Sequence, residues 1–152
     1  MKLLLDFDGV INFFRKSDWP TEEFGWYQPE GFYESYPIHY SPDLVREINA
    51  LHVDKIFSST WVIAPGILDF VGLTGFSIGF KEYNRRSVRF AKQELADSLI
   101  RAGEKFIWAD DDAIPSRFNG TPGALLVRPN QYTGIAQKEM QQIKDFVDQN
   151  RE

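Results

Sequence analysis

The sequence predicts a three-layer α/β fold: a parallel sheet with helices on both faces and a small insertion after the first strand. Three observations predict it. Short apolar runs alternate with helical patterns along the chain, as they do where helices cross between parallel strands. Three of those runs end in polar clusters, at Asp6-Phe7-Asp8-Gly9, Ser58-Ser59-Thr60 and Asp110-Asp111-Asp112. A long aromatic stretch with no sustained period, residues 12–40, interrupts the alternation directly after the first run.

Taken in order, Leu3 to Phe7 is a short apolar run closed by Asp8-Gly9, which suits a buried parallel strand followed by a turn. Residues 12–40 hold many Phe, Trp and Tyr, with Pro20, Pro29 and Pro37 spread among them, and read as a long loop or small cap. Ser41-Pro42-Asp43 is a helix start, with a capping serine, proline in the first turn and an acid beside it. Leu44, Val45, Ile48 and Leu51 then make one apolar helical face. Lys55 to Ser58 is a second strand and Ala64 to Phe70 a further helix, while Gly72 to Gly79 has no legible pattern. A helix ending near Ala102-Gly103 turns Leu95, Leu99 and Ile100 inward. Lys105 to Ala109 and Ala124 to Val127 are two more strands. Thr133 caps a last helix that buries Ile135, Met140, Ile143, Phe146 and Val147.

Composition narrows the function classes. The 152 residues fit one compact domain over 1–152, with neither repeat nor linker. A formal net charge of −5 offers no electrostatic footprint for a nucleic-acid backbone or an acidic membrane surface. A small phosphorylated substrate is compatible with that charge, because a bound metal ion reverses the field inside one pocket. The absence of cysteine excludes disulfides, thiolate metal sites and a cysteine nucleophile. No stretch approaches a membrane span, and the apolar run at Leu3-Leu4-Leu5 is too short for a leader, so the expected setting is cytoplasmic.

The polar clusters carry the chemistry. In a parallel sheet, sites form at the carboxyl ends of the strands, so the three clusters are expected on one edge. Asp6 and Asp8 are two residues apart, a spacing that turns both side chains to one strand face. A carboxylate nucleophile with a nearby acid is what phosphoryl transfer through an aspartyl-phosphate needs. Gly9 lets the backbone approach a phosphate closely. Each feature alone also has a plain structural reading. Asp8-Gly9 is then a turn, Asp110 to Asp112 an acidic cap before Pro115, and the aromatic rings core packing. Trp61 and Trp108 read as core beside the site, and His39 and His52 have no catalytic or metal-binding pattern around them.

The stretch Asp6-Phe7-Asp8-Gly9-Val10-Ile11-Asn12 resembles the first signature of the haloacid dehalogenase-like superfamily. Phe57-Ser58-Ser59-Thr60-Trp61 is similar to its second motif, and Ile107-Trp108-Ala109-Asp110-Asp111 to its fourth. Within the superfamily, Asn12 and the two Trp-flanked motifs resemble the compact subgroup described as the HAD domain of Swiss Army Knife RNA repair proteins. The resemblance implies a Rossmann-like fold and a phosphohydrolase in which Asp6 attacks phosphorus. Asp8 then protonates the leaving oxygen and later activates water. It also implies a Ser or Thr holding a phosphate oxygen, with Ser59 preferred to Thr60. The metal site would be the Asp6 carboxylate, the Asp8 backbone carbonyl and Asp110, assisted by Asp111.

Electrostatics agree with that requirement: carboxylates gathered around a phosphate dianion repel it unless a divalent ion and a lysine are present. Magnesium, which favours oxygen ligands, is the expected ion. The third motif of the resemblance is a lysine, for which Lys92 is the choice, with Lys81 and Arg86 competing and a solvated helix lysine as the plain reading. The aromatic stretch, including Trp19, Trp26, Tyr27, Phe32, Tyr33 and Tyr36, is a candidate cap that stacks a flat leaving group. Three alternatives to phosphomonoester hydrolysis stand beside it: transfer to another acceptor, action on phosphorylated nucleic-acid ends, and a non-catalytic metal or phosphate-binding module. Receiver-type modules place their acidic pair first and a lone aspartate later, the reverse of the order here. Dehalogenation has no use for Asp8 or for magnesium.

Overall fold

A computed structural model describes residues 1–14, 30–81 and 84–151 of the chain. Strand β1 (Lys2–Leu5) leads to an antiparallel hairpin of β2 (Glu30–Tyr33) and β3 (Tyr36–His39). Helix α1 (Pro42–Asn49), β4 (Asp54–Phe57), a 3-10 turn at Thr60–Ile63, α2 (Gly66–Val71) and β5 (Phe76–Ile78) follow. The chain continues through α3 (Arg85–Arg101), β6 (Phe106–Ala109), β7 (Ala124–Val127) and α4 (Gln137–Gln149).

Five parallel strands form the sheet, in the order β5-β4-β1-β6-β7. Strand β1 sits at its centre, and its alternating side chains divide the core in two. Leu3 and Leu5 join Ile107 and Ala109 beneath α1, α2 and α4, where Leu44, Ile67 and Met140 pack. Leu4 joins Phe106 and Trp108 on the other face, under Ala96 and Leu99 of α3. The apolar runs are continuous in sequence because their residues are buried on both faces. The placement of α3 also follows from topology. The chain steps outward from β1 to β4 and β5, then α3 carries it back across to β6. Right-handed crossovers in opposite directions put their helices on opposite faces. Among the described residues, no helix is long and apolar enough to cross a membrane.

Strand register levels the functional edge. Leu5 stands opposite Phe57 on one side and Ala109 on the other. The ladder continues one step further, with Asp6 N–H donating to Ala109 C=O and Ser58 N–H to Leu5 C=O. Asp6, Ser58 and Asp110 therefore leave the sheet at the same height.

Several elements differ from expectation. Strand β4 ends at Phe57, one residue before the expected Ser58, and α2 begins at Gly66 rather than Ala64. The unread glycine-rich stretch contains β5, a three-residue edge strand. Ile100 is exposed; the buried side of α3 is Val88, Lys92, Ala96 and Leu99. Thr133 does not cap α4: its hydroxyl donates within a turn to Asn130 C=O, and the Glu139 carboxylate accepts the Ala136 N–H at the helix start. The insertion after β1 includes the β2–β3 hairpin, whereas Trp19, Trp26 and Tyr27 lie outside the described residues.

Candidate active site

The strand order reverses between β1 and β6, and the crevice beyond such a reversal is where ligands bind in open α/β sheets. Asp6 follows β1 and Asp110 follows β6, so the two carboxyls face one another across that crevice. Both are buried. Asp6 Oδ1 accepts from Phe7 N–H at 2.8 Å, and Asp110 Oδ1 accepts from Asp112 N–H at 3.1 Å and Ala113 N–H at 3.0 Å. The remaining oxygens meet a lysine. Lys92 Nζ lies 2.7 Å from Asp110 Oδ2 and 3.3 Å from Asp6 Oδ2.

Lys92 reaches this point from α3, whose first turn is capped by the Asn84 side chain accepting from Ser87 N–H at 2.9 Å. The helix starts early enough to set Lys92 well inside it, on the buried side it shares with Val88, Ala96 and Leu99. Burial lowers the affinity of the ammonium for its proton, but Asp6 and Asp110 outweigh it and hold the lysine above its usual 10.5. The competing Lys81 and Arg86 are exposed and belong to neither wall of the crevice.

Asp111 completes the acidic group: Asp6, Asp110 and Asp111 each offer an oxygen, all within 4.8 Å of one another. Asp8 enters the expected ligand set by its backbone carbonyl, and its carboxylate oxygens lie outside this cluster. Three carboxyls thus share one ammonium. Burial, followed by repulsion from Asp110, pushes Asp6 well above the normal carboxylate range. Burial and the charges of Asp112 and Asp110 push Asp111 up to about 6. An all-oxygen donor set of this kind fits a hard divalent cation, which would neutralise the charge that Lys92 leaves over.

Gly9 makes room for this cluster. Its φ is +76°, and a Cβ there would overlap the Asp111 carboxylate. Asp111 thus packs directly against this turn.

Asp8 is half-buried and stands apart from the acidic cluster, with both oxygens engaged. Asn12 Nδ2 donates to Oδ1 at 2.9 Å and Trp61 Nε1 donates to Oδ2 at 3.1 Å. Trp61 is therefore more than core packing.

The second cluster is arranged differently from expectation. Because β4 stops at Phe57, Ser58 is buried with its hydroxyl unpartnered among the described residues, and Ser59 becomes the cap of the following turn, accepting from Trp61 N–H at 3.1 Å. Thr60, not Ser59, reaches the wall of the cavity formed over the carboxylates, about 260 Å³ in volume. Asp6, Asp8, Lys92 and Asp111 line the same cavity. So do Arg85 and Arg89, two cations the sequence reading did not single out. Their spacing was the available signal: Arg85, Arg89 and Lys92 recur at four and three residues, one face of a helix. His52 is exposed and remote, and Trp108 is fully buried in the core. Comparison with family models, with curated proteins and with solved structures finds no match for the chain.

Proposed function

We propose that this protein is a magnesium-dependent phosphomonoesterase of the haloacid dehalogenase-like superfamily, working through an aspartyl-phosphate on Asp6. The observation that carries the reading is Lys92: a buried ammonium bridging Asp6 and Asp110 across the crevice, with Asp111 in reach. A fold with no use for charge at this edge has no reason to bury two carboxyls on one cation with a third, half-buried, beside them.

The positions of the side chains support the following roles. Lys92 holds Asp6 in place and offsets charge as the dianion enters. Asp6 attacks phosphorus, the bond to the leaving oxygen breaks, and Asp8 supplies that oxygen with a proton. Asp8 then takes a proton from water, which attacks the acyl phosphate, releases inorganic phosphate and restores Asp6. Asp8 suits the exchange because it stands free of the acidic cluster, held by neutral N–H donors. Asn12 and Trp61 each donate to one of its oxygens, which fixes its direction and leaves lone pairs free for the exchange. Thr60, Arg85 and Arg89 are the groups on the cavity wall that can bind the phosphate oxygens. Asp6, Asp110 and the Asp8 carbonyl, with Asp111 beside them, would hold magnesium, which would supply the positive charge that shields the nucleophile from its dianionic substrate.

The test is hydrolysis of an aryl phosphate and a panel of small phosphomonoesters, with magnesium and with chelator, beside Asp6→Asn and Asp8→Asn. Turnover that disappears with chelator and in both variants is the expected result. Activity surviving Asp6→Asn would remove the nucleophile assignment. Magnesium binding without turnover of any ester would favour a binding module.

A further inference from the structure

A second cavity, of about 850 Å³, adjoins the one over the carboxylates. Asp8, Phe14, Thr60 and Arg85 line both, so the two share a wall. Their chemistry differs. The inner one holds carboxyls and cations, whereas the outer is faced by Phe13, Phe14, Tyr36, Trp61 and Ile63. Phe14, Tyr36 and Ile63 are 43%, 56% and 58% exposed, although large and mainly apolar. Single exposed apolar residues need no explanation, but three around one cavity beside a polar site mark a binding surface.

The rings are held in place. Tyr36 meets Trp61 edge-on at 5.3 Å, and Trp61 meets Phe7 and Tyr33 in the same manner, each at 5.9 Å. The hydrogen bond to Asp8 fixes the polar edge of the indole. A rigid aromatic wall favours flat partners, because stacking loses little rotamer freedom on either side. Arg85 stands at the junction of the two cavities, and its side chain makes no hydrogen bond or ion pair among the described residues.

The phosphomonoesterase reading, on which this inference rests, says which part of a substrate reaches the outer cavity. The phosphoryl group lies over Asp6 in the inner cavity, and the leaving oxygen must face Asp8. Since Asp8 lines the outer cavity as well, the group attached to that oxygen extends there. We propose that the outer cavity is a leaving-group subsite for a flat aromatic ring, with the Arg85 guanidinium at the junction gripping the outward phosphate oxygens.

The decisive probes are two non-hydrolysable phosphonates, 2-naphthylmethylphosphonate and methylphosphonate, titrated calorimetrically into the protein with magnesium. The naphthyl compound is expected to bind tighter by on the order of tenfold or more, the size of a base stacked on an aromatic side chain. Tyr36→Ala and Ile63→Glu, both at exposed positions, should each cut that ratio severalfold, and Arg85→Met should weaken both compounds. Equal affinities in the wild type, or a ratio that survives both substitutions, would overturn the subsite. Turnover of 2-naphthylmethyl phosphate separates the two readings. Discriminating binding without turnover keeps the subsite and removes the phosphatase; turnover without discrimination does the reverse.

Discussion

The indole of Trp61 donates to Asp8 from a position 53 residues further along the chain, and the ring of Trp61 is itself braced by Tyr36 of the hairpin. The second donor is tied to the same hairpin: Asn12 gives its amide N–H to Asp8 while its carbonyl accepts from His39 N–H at 2.8 Å. The insertion after β1 therefore sets where Asp8 points. Trp61→Phe keeps a ring against Phe7, Tyr33 and Tyr36 and removes only the N–H. With a small alkyl phosphate, kcat should fall about tenfold, the size of a hydrogen bond to a charged group, and KM should stay near the wild-type value. An unchanged kcat would leave the indole a packing role alone.

Lys92→Met preserves length and apolar stem but removes the ammonium from Asp6 and Asp110. Deleting one partner of a buried ion pair costs about 3–5 kcal/mol, because the other charge stays buried. Urea unfolding in chelator should show a loss of that order, and magnesium should restore part of it. A loss below about 1 kcal/mol would mean that the carboxyls are satisfied without the lysine.

The crowded acids give stability a distinctive pH dependence. Asp111 titrates near 6 in the folded chain against 3.8 for an ordinary aspartate, and Asp6 is displaced in the same direction. Between those values the native state binds more protons than the unfolded chain, so stability declines as pH rises from about 4 to about 6. Lys92 titrates above 10.5 and stays outside this window. Melting temperatures in chelator should therefore fall across it relative to Asp111→Asn, which lacks the titrating group. Magnesium should remove the difference. Parallel melting curves for the two proteins in chelator would contradict the crowding.

Gly9→Ala tests the support of the cluster. The substitution meets a left-handed backbone and the Asp111 carboxylate at once. Strain of that kind costs about 1–3 kcal/mol, and displacement of Asp111 should weaken magnesium binding measured by calorimetry. Wild-type stability and metal affinity together would show that the turn relaxes freely.

Much of this arrangement was legible in the order of residues. Central parallel strands are buried on both faces, so β1, β4 and β6 read as apolar runs, and the polar residues that end them mark one edge of the sheet. Lys92 could be chosen because it precedes an apolar helical face at a suitable distance from Asp110. What stayed hidden has local causes. Phe76-Ser77-Ile78 is too short to show a period, and Pro37 obscured β3, which tolerates it because the hairpin is only two strands wide. Ser59 and Thr60 exchanged places because a strand end shifted by one residue reverses which side chain faces the cavity. The bond from Trp61 to Asp8 spans too much sequence to leave a local pattern. Arg85 and Arg89 were passed over because exposed arginines on a helix usually mean only a solvated face.

Helix α3 also acts as a ruler. Arg85 and Lys92 are seven positions apart on one rigid element, an axial separation of about 10.5 Å. Deleting a single residue between them would swing Lys92 by about 100° and withdraw it from the carboxyls, since each helical residue turns by that angle. On the proposed reading, the depth at which a phosphoryl group is seated is thus locked to the pitch of one helix.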